Sequence, residues 1–504
     1  MHFAYLKTTP CGKDHNATVA FVQYGRPTMT PHDAQPSAGT YGQEIPNPRR
    51  YYGFWALSLA LAIALFAFSY SMGLSYKGRA FLGVTMLAIA LWGFNLLHEG
   101  LVAVMLPIGY ILLGVGTPKQ LLSPWTQPMG WLVLGGLMTG LVLMHTGLAR
   151  RIALWSLHIT GGSFTRLLWG LLLAGFIIAP LMPTALGKGI LISIICIGIC
   201  DALEFAPRTR EASIILMAGY IATSAPRLGL YTGGGEVTLA MQLLASAGIH
   251  ISWIDYFIQC YLPNIIYSIC SLAVLILIMR PNNTINARAY LEEQFAKLGP
   301  MSVKEKKATA IFVLLVILMM TDKYHGIDIG WIMMLVGFAC FLPGLHLVDS
   351  KRFASLNMTS VLFVVGCMSI GAGAQATGVD KLCAESLSPL LQGTGELTTM
   401  ITAYLAGIGV NFLLTPVAGV STFTVPLAEL TNSIGISPFA PVYSFLYGLD
   451  QYVLPYEYAV FLYFFSTGYI HLKHLIQVFA VRAIITFILL IAVFYPFWKL
   501  TNAL

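Results

Sequence analysis

Residues 133–151 read VLGGLMTGLVLMHTGLARR, and residues 364–382 read VVGCMSIGAGAQATGVDKL. The second stretch is a weak copy of the first. Thr146 follows Gly135 by eleven residues, and Thr377 follows Gly366 by eleven. The same offset of 231 carries Thr184 onto Thr415, each beside a proline inside an apolar stretch. Two apolar halves with matched landmarks are the pattern of a secondary transporter built from repeats. Such folds hold substrate near the bilayer midplane, where the halves meet.

Composition agrees. The chain of 504 residues is 57% hydrophobic and only 10% charged, against about 25% charged in soluble domains. It reads as an all-α polytopic membrane protein. Residues 1–50 are polar and lack the basic start and apolar run of a signal peptide, so a disordered tail is expected there. The net charge of +7 does not point to nucleic acid. Lys7, Lys13, Arg26, Arg49 and Arg50 precede the first span, and Arg288, Lys297, Lys304, Lys306 and Lys307 cluster in residues 281–307. Both segments are therefore expected on the cytoplasmic side. The eight cysteines show no disulfide pattern. Cys196 and Cys200 share a helix face but read as small packing residues, not a metal site.

A span needs about 20 apolar residues. The first half, 51–280, has full spans near 54–74, 79–97, 98–116 and 128–146, then two shorter arms, 167–181 and 187–203. Those arms, joined at a tip over 182–186, suit a re-entrant hairpin. The segment 212–247 is broken at Ser224-Ala225-Pro226-Arg227 and by Gly233-Gly234-Gly235, and another span covers 258–279. After the basic linker, the second half, 308–504, repeats the scheme. Spans lie near 308–322, 328–346 and 359–379, a hairpin turns at 414–418, and a broken span runs through 439–467 with its interruption at Leu454-Pro455-Tyr456-Glu457. A last span covers 478–498. The expectation is about eleven transmembrane helices plus two re-entrant hairpins. The span at 128–146 and its copy at 359–379 are five crossings apart, which makes the repeat inverted.

This order resembles the divalent anion/sodium symporter family of dicarboxylate, citrate and sulfate carriers, within the ion transporter superfamily. The resemblance covers roughly residues 80 to 500. Its closest local match is His145-Thr146-Gly147-Leu148-Ala149-Arg150-Arg151-Ile152-Ala153-Leu154, and Leu454-Pro455 matches the second broken span. The resemblance implies a homodimer, a scaffold of outer helices, and elevator-like movement of a substrate-bearing domain. The family carries Ser-Asn-Thr at each hairpin tip to hold substrate and sodium. Here the tips read Met182-Pro183-Thr184 and Thr415-Pro416-Val417. The family's Gly-Thr-Pro-Asn segment is replaced by Thr232-Gly233-Gly234-Gly235-Glu236, and its counterpart by Tyr456-Glu457-Tyr458.

Candidate site residues follow from charge placed inside apolar segments. Lys188 lies one helical turn after Thr184 on the same face. A charge at mid-membrane costs at least about 2.5–3.5 kcal/mol, so such a residue faces a cavity or a partner. Its ammonium is expected where family members hold sodium. The plainer reading is a lysine reaching the interface. Glu236 and Glu457, at the two interruptions, suit cation binding or proton uptake, although Glu236 also suits a helix N-terminus. Arg227 has the fork geometry to grip a carboxylate, or to pair with a nearby acid. Asp450 is a further coupling candidate. Asn411, Thr415 and Tyr456 complete the expected substrate set. His471 and His474 read as interfacial, and the small residues Gly135, Gly136, Gly366, Gly371 and Gly373 as helix-packing positions.

The chain shows no Walker loop, no HExxH and no serine–histidine motif, so no enzyme and no cofactor are expected. The leading expectation is a plasma-membrane (inner-membrane in a bacterium) secondary transporter of a small organic anion, with its N-terminus cytoplasmic. The missing sodium motifs favour coupling to H+, or exchange, over Na+. The alternatives are a sodium-dependent dicarboxylate symporter with remodelled ion sites, an anion channel, and a non-transporting receptor or scaffold.

Overall fold

The computed structural model describes residues 48–504 apart from 72, 95, 183, 282–286, 380–381, 383–394 and 413. The tail expected over 1–50 lies almost wholly outside the described residues, as does Pro183 at the first hairpin tip. Residues 52–504 form one compact unit, and the described residues are all helix and connecting loop.

The first half opens with α1 (Pro48–Ser71), α2 (Tyr76–Gly93), α3 (Glu99–Leu112) and α4 (Pro128–His145). Proline starts α4 where a missing N–H costs nothing, and Gly147 at φ +80 ends it. An amphipathic helix, α5 (Leu148–Thr160), follows. The hairpin comprises α6 (Phe164–Ile178) and α7 (Ala185–Ala202). Arms of 15 and 18 residues reach about 22 and 27 Å, short of the ~30 Å hydrocarbon layer. The broken span is α8 (Arg210–Ser224), a 3-10 turn over Ala225–Gly229, and α9 (Gly235–Ser246). The half closes with α10 (Trp253–Met279).

The basic linker is not all loop. It carries α11 (Arg288–Lys297), which lays Phe295 against His158 of α5 with ring centroids 4.8 Å apart. Its sequence has no proline or glycine, and two i,i+4 ion pairs run along it, Arg288–Glu292 and Lys297–Glu293. The capping box of Ser302 and Glu305 then starts α12 (Val303–Met320). Glu305 also receives Arg151 of α5 at 2.6 and 3.2 Å. That guanidinium holds the Glu305 carboxyl below the usual carboxylate range.

The second half contains α13 (Ile329–Ala339), α14 (Met358–Thr377), the hairpin arms α15 (Glu396–Asn411) and α16 (Pro416–Ser433), and the broken span of α17 (Phe439–Leu449) and α18 (Ala459–Ser466). Between the last two runs a short turn, Pro455–Glu457. Finally α19 (Leu472–Leu489) continues through a π turn to Leu500. Among the described residues, six helices are long and apolar enough to cross a membrane, and four shorter apolar helices accompany them.

The repeat glycines explain how the halves join. A Cβ on Gly135 of α4 would lie 2.6 Å from the Met333 backbone of α13. A Cβ on Gly366 of α14 would strike the Ala103 carbonyl of α3. Each half therefore packs a bare helix stripe on the backbone of the other half. The hairpins use the same device. Gly175 of α6 sits on the Ala222 carbonyl of α8, and Gly407 of α15 on the Phe445 carbonyl of α17. Gly366→Ala is expected to cost about 1–3 kcal/mol by forcing two backbones apart. Gly409→Ala, where a Cβ meets nothing within 4 Å, is the neutral control. Thermal unfolding of the purified proteins in detergent distinguishes them, and equal midpoints would refute the packing argument.

Candidate functional site

Both hairpin tips and both interruptions border one cavity of about 410 Å³. Thr184 and Thr415 come from the tips, Glu236 from the first interruption, and Tyr456, Glu457 and Tyr458 from the second. Leu132 and Leu137 of α4 and Phe363 of α14 form the opposite wall. A second cavity of about 400 Å³ shares Glu99, Phe363, Thr415, Tyr456 and Glu457 with the first and adds Asn411. A larger, almost wholly apolar crevice of about 610 Å³ lies elsewhere, between α5 and α12, and holds none of these groups.

Four helices begin at the first cavity: α7 after Thr184, α9 after Gly234, α16 after Thr415 and α18 after Tyr458. None of these N-termini has a side-chain cap. Their free N–H groups and positive dipole ends favour a negatively charged group. The local sequence produces this convergence. Proline or glycine stands within four residues of each start, and the residue before each helix has extended backbone.

Behind the cavity wall runs a buried ionic chain. Arg227 pairs with Glu236 and donates from Nη2 to Asp450 Oδ1 at 2.9 Å. Asp450 Oδ2 accepts from Arg482 Nη2 and from the Tyr267 hydroxyl, each at 2.6 Å. Arg227, Asp450 and Arg482 are each 1% exposed. Arg227 also donates to the Ser224 carbonyl at 3.1 Å, and its guanidinium lies over the Tyr458 ring at 5.1 Å. The chain links α9, the first interruption, the second interruption, α19 and α10.

Lys188 lies apart from that chain. It is 1% exposed, and its Nζ donates to the Gly233 carbonyl at 2.7 Å. It forms no ion pair among the described residues. The ammonium thus tethers the second hairpin arm to the glycine triplet of the first broken span. Glu457 accepts from the Val453 and Leu454 N–H groups at 3.0 and 3.1 Å while lining both cavities. Asn411 donates to the Leu449 carbonyl, and its Oδ1 has no partner among the described residues.

The structure therefore brings Thr184, Thr415, Glu236, Tyr456 and Glu457 to one cavity, with Asn411 in the adjoining one. Lys188, Arg227 and Asp450 do not line either cavity. Arg227 is paired with two acids instead of facing an open space. Three participants were not foreseen. Arg482 and Tyr267 complete the ionic chain, and Glu99 of α3 lines both cavities. Arg482 had a visible signal, a guanidinium inside the last apolar stretch. Glu99 had none that distinguished it from a loop acid. Among the described residues, no group of His, Cys, Asp and Glu is arranged to hold a metal ion.

Residues 52–504 match the family described as sodium:sulfate symporter transmembrane region. Inner membrane protein YbhI of Escherichia coli K12 is 23% identical over 411 residues, covering 79% of this chain and 86% of that protein. The sodium-dependent dicarboxylate transporter SdcS of Staphylococcus aureus USA300 is 22% identical over 456 residues, covering 84% and 86%. In fold, the solved YdaH transporter of Alcanivorax borkumensis superposes with a TM-score of 0.50 at 14% identity, covering 76% of this chain and 87% of its own. Two apolar halves with hairpins and broken spans, together with a family match spanning residues 52–504, make this chain a multi-pass membrane transporter of the divalent anion/sodium symporter family.

Proposed function

We propose that the protein is a secondary active carrier of a small carboxylate-bearing anion, coupled to protons or to exchange rather than to sodium. The observation that carries the reading is the convergence of four uncapped helix N-termini on one cavity between the hairpin tips. The substrate carboxylate accepts from those N–H groups and from the Thr184 and Thr415 hydroxyls. Lys188 supplies a fixed positive charge at the hairpin and triplet, the task of sodium in the family. The substrate-bearing body, comprising the hairpins and broken spans, moves as an elevator against α4 and α14. The protein works as a homodimer in the plasma membrane with its N-terminus cytoplasmic, in keeping with crossing count and charge.

The second reading, a sodium-dependent dicarboxylate carrier, is favoured by the name of the SdcS relative and by the unpartnered Asn411 Oδ1 at the second hairpin. Uptake of labelled carboxylates into proteoliposomes separates the two. We expect uptake without sodium, stimulated by an inward proton gradient or by internal substrate. Strict dependence on sodium would replace this proposal with the second reading. Conductance without saturation or counterflow would make the protein a channel.

A further inference from the structure

The cavity that suits an anion is also walled with acid. Glu99, Glu236 and Glu457 line it, and no lysine, arginine or histidine does so among the described residues. An anion arriving beside three carboxylates meets like charge in a low-dielectric site. One of the three stands where a substrate carboxylate would. Glu236 lies in the first turn of α9, at an N-terminus facing the cavity, and its Oε2 is held by Arg227. It is a tethered anion occupying the anion position.

The geometry points to the Glu236–Arg227 pair as the proton-coupling element of the carrier, Glu236 yielding its place to the substrate carboxylate when protonated. This rests on the anion-carrier reading above. A proton from cavity water forms an O–H bond on the Glu236 carboxyl, and the ion pair to Arg227 breaks. The substrate carboxylate takes over the α9 N-terminus and the guanidinium face. On the far side the anion leaves, Glu236 returns its proton to water, and the pair re-forms. Protonated Glu236 leaves Arg227 and Arg482 sharing Asp450 alone, and the arriving substrate carboxylate restores the charge balance.

The titratable groups around Glu236 are consistent with a single site. Arg227, Asp450, Tyr452 and Tyr458 lie behind it, and Lys188 is engaged with Gly233. Across the cavity stand Glu99 and Glu457. Neither α4, α14 nor α16 contributes a charged group to the described lining. Glu457 accepts from two backbone N–H groups and pairs with no cation among the described residues. Glu99 is exposed and lines both cavities. Among the described acids that line the cavity, only Glu236 has a fixed cation that its protonation releases.

The test measures anion binding by titration calorimetry across pH 5 to 8, with a carboxylate that the wild type carries. Wild-type affinity is expected to rise as pH falls. Glu236→Gln, a fixed neutral stand-in, is expected to bind with little pH dependence, and Glu236→Asp to restore the slope. In liposomes, wild-type uptake should acidify the lumen in step with the anion, read by an internal dye. A Glu236→Gln variant with the wild-type pH slope would overturn the inference, as would wild-type uptake without lumen acidification. Absence of uptake and counterflow for every carboxylate in the wild type would instead overturn the anion-carrier reading. Should the Gln variant elute as aggregate, the Asp variant and the dye measurement decide.

Discussion

Lys188→Ala is expected to remove carboxylate transport while leaving a folded protein. The ammonium is fully buried and has a backbone carbonyl, not a carboxylate, as its partner. Its positive charge is thus uncompensated at the site and available to attract an anion through the hairpin wall. At an effective dielectric of about 20, unit charges about 6–12 Å apart interact by about 1.4–2.8 kcal/mol, so roughly ten- to hundredfold is expected in anion affinity. Folding should survive, because the substitution removes a buried charge that no acid neutralises. Counterflow in proteoliposomes, with size-exclusion elution as the folding check, reads both effects. Wild-type affinity and rate in the alanine variant would end the case for a tethered cation in place of sodium. Rescue of the variant by sodium would strengthen it, since a free cation would then fill the position.

Asp450→Ala should give the largest loss of stability. Asp450 is the only acid that touches both Arg227 and Arg482 among the described residues. Without it, two buried guanidinium groups confront each other with Glu236 as their remaining counter-charge. Breaking a buried pair by removing one partner costs about 3–5 kcal/mol, and here one residue serves two pairs. The unfolding midpoint in detergent should fall further than for any other substitution named above. Adding Arg482→Met should recover part of the loss, because it removes one uncompensated charge. An unchanged midpoint for Asp450→Ala would show that the chain does not hold the two broken spans together.

The fold was largely legible because its punctuation is chemical. Pro226, the Gly233–Gly235 triplet and Pro455 cannot continue a regular helix, and each marks a break that the structure contains. Gly135 and Gly366 were readable as packing positions because both stand in repeat-related apolar stretches. What lay beyond reach was partnership. Arg227 finds Asp450 at a separation of 223 residues, and no local pattern encodes such a distance. The partner of Lys188 is a carbonyl, which every residue possesses. The helix in the basic linker was missed because charge clusters read as solvated loop, while the i,i+4 pairing of those charges was the helix signal. Glu99 enters the site only because α3 packs on α14, a contact between halves.

The ionic chain has a consequence for how this protein is made. Arg227 leaves the ribosome 223 residues before Asp450. At about 5–20 residues per second, that is roughly 11 to 45 seconds of synthesis. During that interval a guanidinium destined for the membrane interior has, among the described residues, only Glu236, nine residues later, as its ion-pair partner. Glu236 is therefore a nascent-chain counterion before it is anything else. Until the last two hundred residues are inserted, the first half must wait in the bilayer with its glycine stripes uncovered and its charge only provisionally met.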